Sequence, residues 1–153
     1  SAALDCVNCA VRATDVNAGG VFDGTTHLYA VRAYYEDTDL SGIVYHANYL
    51  KYIERARSDW VLGMGIDQNA LRESEGIVFV IRRVEADFRA SARFDDRLTV
   101  MTRVGAVSGV RLVLHQEVLR DGELLFSAEV TLVSMTLDGH PVRLPQALRR
   151  KVH

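Results

Sequence analysis

A chain of 153 residues, 48% hydrophobic and 25% charged, has the make-up of one globular domain large enough to bury its own core. Its 18 basic and 20 acidic side chains leave a formal charge of −2, which gives no general electrostatic attraction to nucleic acid. Two prolines exclude a proline-rich chain, the longest apolar runs fall far short of the roughly 20 residues of a membrane span, and no basic stretch leads into an apolar one as in a secretory signal.

The first 27 residues are rich in Ala, Asp, Asn and Gly and sustain neither a period of 2 nor one of 3.6. Residues 1–27 are therefore read as an N-terminal extension and 28–153 as a single domain. Within the extension Cys6 and Cys9 form a lone C-x-x-C. A zinc site needs two more ligands at matching spacing, and no second pair follows. The histidines, at positions 27, 46, 115, 140 and 153, show no paired spacing either. No metal and no cofactor is expected, and the cysteine usage suits a reducing, cytoplasmic setting.

The domain opens with a strand over Leu28 to Glu36, followed by a polar turn from Asp37 to Gly42. Ile43, Val44 and Tyr45 lead into a helix in which Tyr49, Ile53, Ala56 and Trp60 recur at helical spacing, flanked by Leu50 and Val61. Gly63 and Gly65 end it, and the breadth of its apolar stripe predicts a helix covered by other structure. A short helix is expected from Gln68 to Glu75, with Asp67 capping its free amides and Gly76 closing it.

Beyond Gly76 the period changes to 2. Val84, Ala86 and Phe88 form the apolar side of one strand, and Leu98, Val100, Thr102 and Val104 that of the next. Leu112, Leu114, Gln116 and Val118, then Leu124, Phe126, Ala128, Val130 and Leu132, complete the set. Ser108-Gly109 and Asp121-Gly122 sit between the last three strands as hairpin turns. Helices and antiparallel strands are segregated, so the expected class is α+β, one sheet wrapped round one long helix.

The densest polar constellation lies between the first strand and the long helix. Glu36, Asp37 and Asp39 precede a helix start at which His46, Ala47 and Asn48 follow Tyr45. A helix N-terminus offers free backbone N–H groups and the positive end of its dipole, which stabilise an oxyanion. A carboxylate beside it can serve as base or nucleophile on the same carbonyl, a combination suited to acyl transfer. Acids before a helix also serve as caps, and Asp-x-x-Gly is a common turn, so spacing alone leaves both readings open.

Tyr35-Glu36-Asp37-Thr38-Asp39, followed by Gly42-Ile43-Val44-Tyr45-His46-Ala47-Asn48-Tyr49, closely resembles the signature of the hot-dog-fold acyl-CoA thioesterases, in the 4-hydroxybenzoyl-CoA thioesterase-like branch. Within it the chain is most similar to the Tol–Pal-associated acyl-CoA thioesterases of bacteria. The likeness continues through Glu54-Arg55-Ala56-Arg57 and Phe88 to Leu98, and covers roughly Leu28 to Leu144. It implies a hot-dog fold, a curved antiparallel sheet around one long central helix, joined into homodimers or homotetramers with active sites at the dimer interface. It implies hydrolysis of acyl-coenzyme A to free acid and coenzyme A, with Asp39 as catalytic acid and the backbone amide of His46 polarising the thioester carbonyl. Tyr45, Asn48 and Gly42 would line the same pocket. Arg89 and Arg111, with Arg93 and Arg97, are candidates for the phosphates of coenzyme A. The tail Arg149-Arg150-Lys151 is a candidate for phosphates or an anionic membrane, and the resemblance extends to peripheral association with the inner membrane or envelope machinery.

Two rival readings share this fold. One is a hydratase or dehydratase of enoyl or 3-hydroxyacyl thioesters, which places its His and acid differently. The other is an acyl-CoA-binding module without catalysis. The Asp-x-x-Gly-x-Val turn favours hydrolysis over the first, and the second would bind acyl-CoA without releasing thiol.

Overall fold

Tyr49, Tyr52, Ile53, Ala56, Trp60 and Val61 share one side of a 16-residue helix, α1 (Asn48–Gly63), and all six are buried. That stripe is the reason the sheet wraps where it does: apolar area on one face of a helix is stabilising only when a second layer covers it. The second layer is a six-stranded antiparallel sheet of β1 (Val21–Asp23), β2 (Thr26–Arg32), β3 (Ile77–Phe88), β4 (Arg97–Val107), β5 (Arg111–Arg120) and β6 (Glu123–Thr136). Its spatial order is β1-β2-β4-β5-β6-β3. The computed structural model describes residues 19–152; the C-x-x-C pair lies outside the described residues.

Among the described residues two short helices complete the fold, α2 (Gln68–Glu75) and α3 (Gln146–Val152). α2 has the expected ends: the Asp67 side chain accepts from the amides of Asn69 and Ala70, and Gly76 closes it at φ +65°. α3 is an addition to the sequence reading. Leu144 and Leu148 plug into the core beside the helix-facing residues of the sheet, and the Leu144 N–H donates to Gly109 O over 2.8 Å.

The described part of the segment read as an extension belongs to the sheet. β1 pairs with β2, and β2 begins at Thr26 rather than Leu28. Val31, Leu98, Val100, Leu112, Leu114, Val118, Phe126, Ala128 and Val130 form the helix-facing side, as the alternation predicts. Leu124 is the exception. The register slips between Val118 and Leu119, so Leu125 drops into the main core. Leu124 instead joins Leu28, Met101 and Leu119 in a small cluster on the opposite face. At the other margin β3 has no further strand beside it among the described residues. Val80, Ile81, Val84 and Phe88 stand exposed along that open edge. Among the described residues no helix is long and apolar enough to cross a membrane.

Candidate active site

β2 stops at Arg32, short of the Glu36 expected from alternation, because Asp37 turns the chain. Its carboxylate Oδ2 accepts from the Tyr34 N–H at 2.9 Å, closing a single 3-10 turn over Tyr35–Asp37. The next residues fold back on themselves. Asp39 N–H donates to Ile43 O, Gly42 N–H to Asp39 O, and Asp39 Oδ1 accepts from Ser41 N–H over 2.8 Å. Gly42 takes φ +78°, the left-handed region that glycine enters without a Cβ penalty. The loop is tied to the segment after β3, where Val44 N–H donates to Ala92 O at 2.8 Å.

This folding leaves Asp39 exposed at the loop tip and brings His46 to the start of α1. The Tyr45 N–H is spent on Asp37 O and the Asn48 N–H on Tyr45 O, while the His46 N–H has no acceptor among the described residues. Asp39, Ile43 and His46 form one wall of a cleft of about 230 Å³. Phe88, Arg89 and Ser91 form the other. Tyr49 lies in the same cleft and accepts from the Ala92 N–H at 2.9 Å, which fixes the far wall to α1. Burial pushes the Tyr49 phenol above its ordinary pKa, so it stays protonated. An aromatic block backs the cleft. Tyr49 stacks on Phe126 at 5.2 Å, and Phe88 meets both rings edge-on.

Of the residues named from the sequence, Asp39, His46 and Arg89 are brought together in this cleft. Tyr45 stands half exposed with its ring 4.5 Å from that of His46. Gly42 shapes the loop. Asn48 turns inward: it is buried, and its amide donates to Asp37 O at 2.8 Å. Arg111 opens β5 opposite Val133, at the far end of that strand from Val118, whose partner Phe126 backs the cleft. Within the chain Arg111 is therefore not at the site. Tyr52 has no place in the sequence reading, and Asp37 has one only among the three acids before the helix. The Tyr52 hydroxyl donates to Asp37 Oδ2 at 3.0 Å, and burial, reinforced by that carboxylate, drives the phenol's pKa strongly upward.

A larger concavity, about 480 Å³, lies on the outer face of the sheet between Glu85, Asp87, Arg103, His115, Glu117 and Glu129. Its charges are ordinary cross-strand pairs such as Arg103–Glu117 at 2.8 Å, and it holds no helix N-terminus. Among the described residues no group of three or more His, Cys, Asp or Glu is placed to hold a metal ion.

The model of the thioesterase-like superfamily matches residues 34–152. The chain belongs to that superfamily. It is 35% identical over 126 residues to the acyl-CoA thioesterase YbgC of Haemophilus influenzae, covering 82% of this chain and 93% of that protein. Among solved structures it is similar to a probable thioesterase from Bartonella henselae, with 36% identity, a TM-score of 0.75, and coverage of 78% of this chain and 99% of the other. A 4-hydroxybenzoyl-CoA thioesterase shares the fold at 22% identity and a TM-score of 0.79, over 85% of this chain and all of the other (100%). The sheet with α1 against it is thus the hot-dog fold of these thioesterases, as the resemblance implies.

Proposed function

We propose that this acyl-CoA thioesterase cleaves its substrate in the cleft lined by Asp39 and the residues that lead into α1. The observation that carries the reading is an exposed carboxylate and a free backbone N–H, that of His46, lining one cleft. The thioester carbonyl oxygen takes a hydrogen bond from that amide and lies at the positive end of the α1 dipole. Asp39 delivers the new oxygen, either by drawing a proton from a water or by attacking the carbonyl to give an anhydride that water opens. The coenzyme A thiolate leaves without a strong general acid. Arg89 on the opposite wall supplies a cation for the phosphates.

The active species in this reading is a homodimer or a pair of homodimers. A sheet edge that is twelve residues long and exposes Val80, Ile81, Val84 and Phe88 invites a second copy. Phe88 is the last residue of that edge and also a wall of the cleft, which supports a site shared between chains. Exposed Arg150 in α3 supports peripheral contact with an anionic inner membrane or with envelope machinery, from the cytoplasmic side.

Asp39→Asn is the direct test. It is nearly isosteric but neither base nor good nucleophile, so thiol release should fall below a tenth of the wild-type rate while acyl-CoA binding and folding persist. Retention of more than a tenth would remove Asp39 from the chemistry. Val84→Lys puts a cation on the open β3 edge. It is expected to give monomers with little turnover, and a fully active monomer would overturn the shared site.

A further inference from the structure

We propose that Asp37, held by Tyr52 and Asn48 of α1, is the positioning residue that sets the distance between the Asp39 carboxylate and the His46 amide. The inference rests on the site reading above and adds a residue that reading does not need.

Asp37 is buried, and four donors converge on it. Oδ2 accepts from the Tyr34 N–H at 2.9 Å and the Tyr52 hydroxyl at 3.0 Å. Its main-chain oxygen accepts from the Tyr45 N–H at 2.9 Å and from Asn48 Nδ2 at 2.8 Å. A buried carboxylate needs such partners, because an ion without them loses several kcal/mol of solvation. What these donors connect is the point. Asp37 lies two residues before Asp39, and Tyr45 lies one residue before His46. The Tyr45–Asp37 bond therefore ties the strand bearing the amide to the strand bearing the acid, two residues from one and one from the other. Tyr52 and Asn48 anchor that tie to the most buried side of α1, where Tyr52 is fully enclosed. Asp39 has no comparable anchor of its own; its side chain is bonded to Ser41 N–H, within the same loop. The placement of the acid is thus inherited from Asp37.

Reactions that depend on a preformed geometry are sensitive to such ties, since a displacement of about 1 Å can cost on the order of 100-fold in rate. Tyr52→Phe removes a single hydroxyl and leaves the ring in the core. Its turnover number should drop about tenfold with KM within about twofold, a split that marks an interaction realised at the chemical step. Asp37→Asn keeps the shape but sets either an amide donor or a neutral, weaker acceptor where two donors meet the charged Oδ2, and should lose more, about 30-fold. Both are to be measured by thiol release on the best of a panel of acyl-CoAs, per folded dimer, well below the melting temperature. Whatever acid limb the wild-type pH–rate profile shows should remain in both variants, because Asp37 does not exchange protons with substrate.

Three results would overturn the proposal. Turnover within twofold of wild type in both variants would leave Asp37 a merely structural acid, even if melting temperatures fall. A rise in KM alone would make it a binding residue. Loss of the acid limb in Asp37→Asn would make it a catalytic one. Asp39→Asn run beside them keeps the two readings apart: an active Asp39→Asn refutes the site, whereas an inactive one with unaffected Tyr52→Phe and Asp37→Asn refutes only the positioning.

Discussion

At the N-terminal end of α1 a buried aspartate, Asp37, accepts from the Tyr52 hydroxyl and the Tyr34 amide. Farther along the same helix Asp59 accepts, through Oδ2, from the Gly20 amide at 2.8 Å and pairs with His27 Nε2 at 2.8 Å. Each carboxylate ties a piece of chain to the helix. The first fixes the acid loop, the second the β1–β2 hairpin. The second tie is so close that a Cβ on Gly20 would stand 2.6 Å from His27 Nε2 and 2.8 Å from Asp59 Oδ2. Each tie also lies near a cleft. The one at the hairpin, about 330 Å³, is lined by Phe22, Trp60, Gly63, Met64 and Val104 with Gly24 and Thr25, and by no titratable side chain. The one at the loop, smaller, is lined by Asp39, His46 and Arg89. A hydrogen-bonded aspartate is therefore not what distinguishes a site from a structural joint. The distinction lies in what remains after the joint is made: an acid facing solvent and an amide without an acceptor.

That contrast is broken most directly by exchanging the fates of two aspartates. Asp39→Asn should lose turnover by about 100-fold or more, within the range that positioned acids and bases supply, with little change in melting temperature. Asp59→Ala should do the reverse. It strands Nε2 of a fully buried imidazole whose Nδ1 already lacks a partner among the described residues. The expected loss is about 1–3 kcal/mol in chemical denaturation, with turnover within about twofold. If Asp59→Ala also abolished thiol release under conditions where it is folded, the two ends would be coupled and the comparison would fail.

The two ends also differ in how far the chain could be read before folding. The helix stripe, the Asp67 cap and the Gly76 stop are set by near neighbours, and they stand where spacing puts them. Asp39, Gly42 and His46 are legible because the loop signature is contiguous. Asp37 escaped because its partners Tyr52 and Asn48 lie 15 and 11 residues away, and tyrosine at helical spacing reads as core. The inward turn of Asn48 was hidden in the same way, since the sequence does not say that its amide donates to Asp37 O. Arg111 lies at the other end of β5 within the chain, a placement hidden in the sequence because strand-edge arginines look alike until the sheet's ends are known. Leu124 lost its side to a bulge at Leu125, which alternation cannot foresee. The short α3 buries Leu148, with Leu144 just ahead of its first residue, too little periodicity to stand out in the sequence.

A smaller effect concerns pH. Burial lowers the His27 pKa below 6.5, and the opposing pull of Asp59 does not restore it. Below pH 6.5 the unfolded chain thus takes up a proton that the folded chain resists. The sign follows from linkage: His27's contribution is fully present above pH 6.5 and is lost as pH falls from there toward the lowered folded value. Denaturation midpoints should therefore decline through that window in the wild type. A His27→Gln variant should be less stable throughout but flatter across it. An equally steep decline in the variant would place the titration elsewhere.

The smallest expected change separates the backbone of His46 from its side chain. The imidazole is exposed, 4.5 Å from the Tyr45 ring and 6.1 Å from that of Phe88 by centroids, contacts that an alanine would give up without opening the core. The group assigned to the carbonyl is the N–H, which every residue except proline carries. His46→Ala therefore keeps the donor and the helix start, and turnover should stay within about threefold of wild type, with any loss falling on KM as the aromatic wall thins. Oxyanion donors are worth on the order of 100- to 1000-fold each when removed, so the two possibilities are well separated in size. A hundredfold fall in turnover for His46→Ala would assign the chemistry to the ring. The loop end of α1 would then hold two catalytic side chains rather than one carboxylate and an amide.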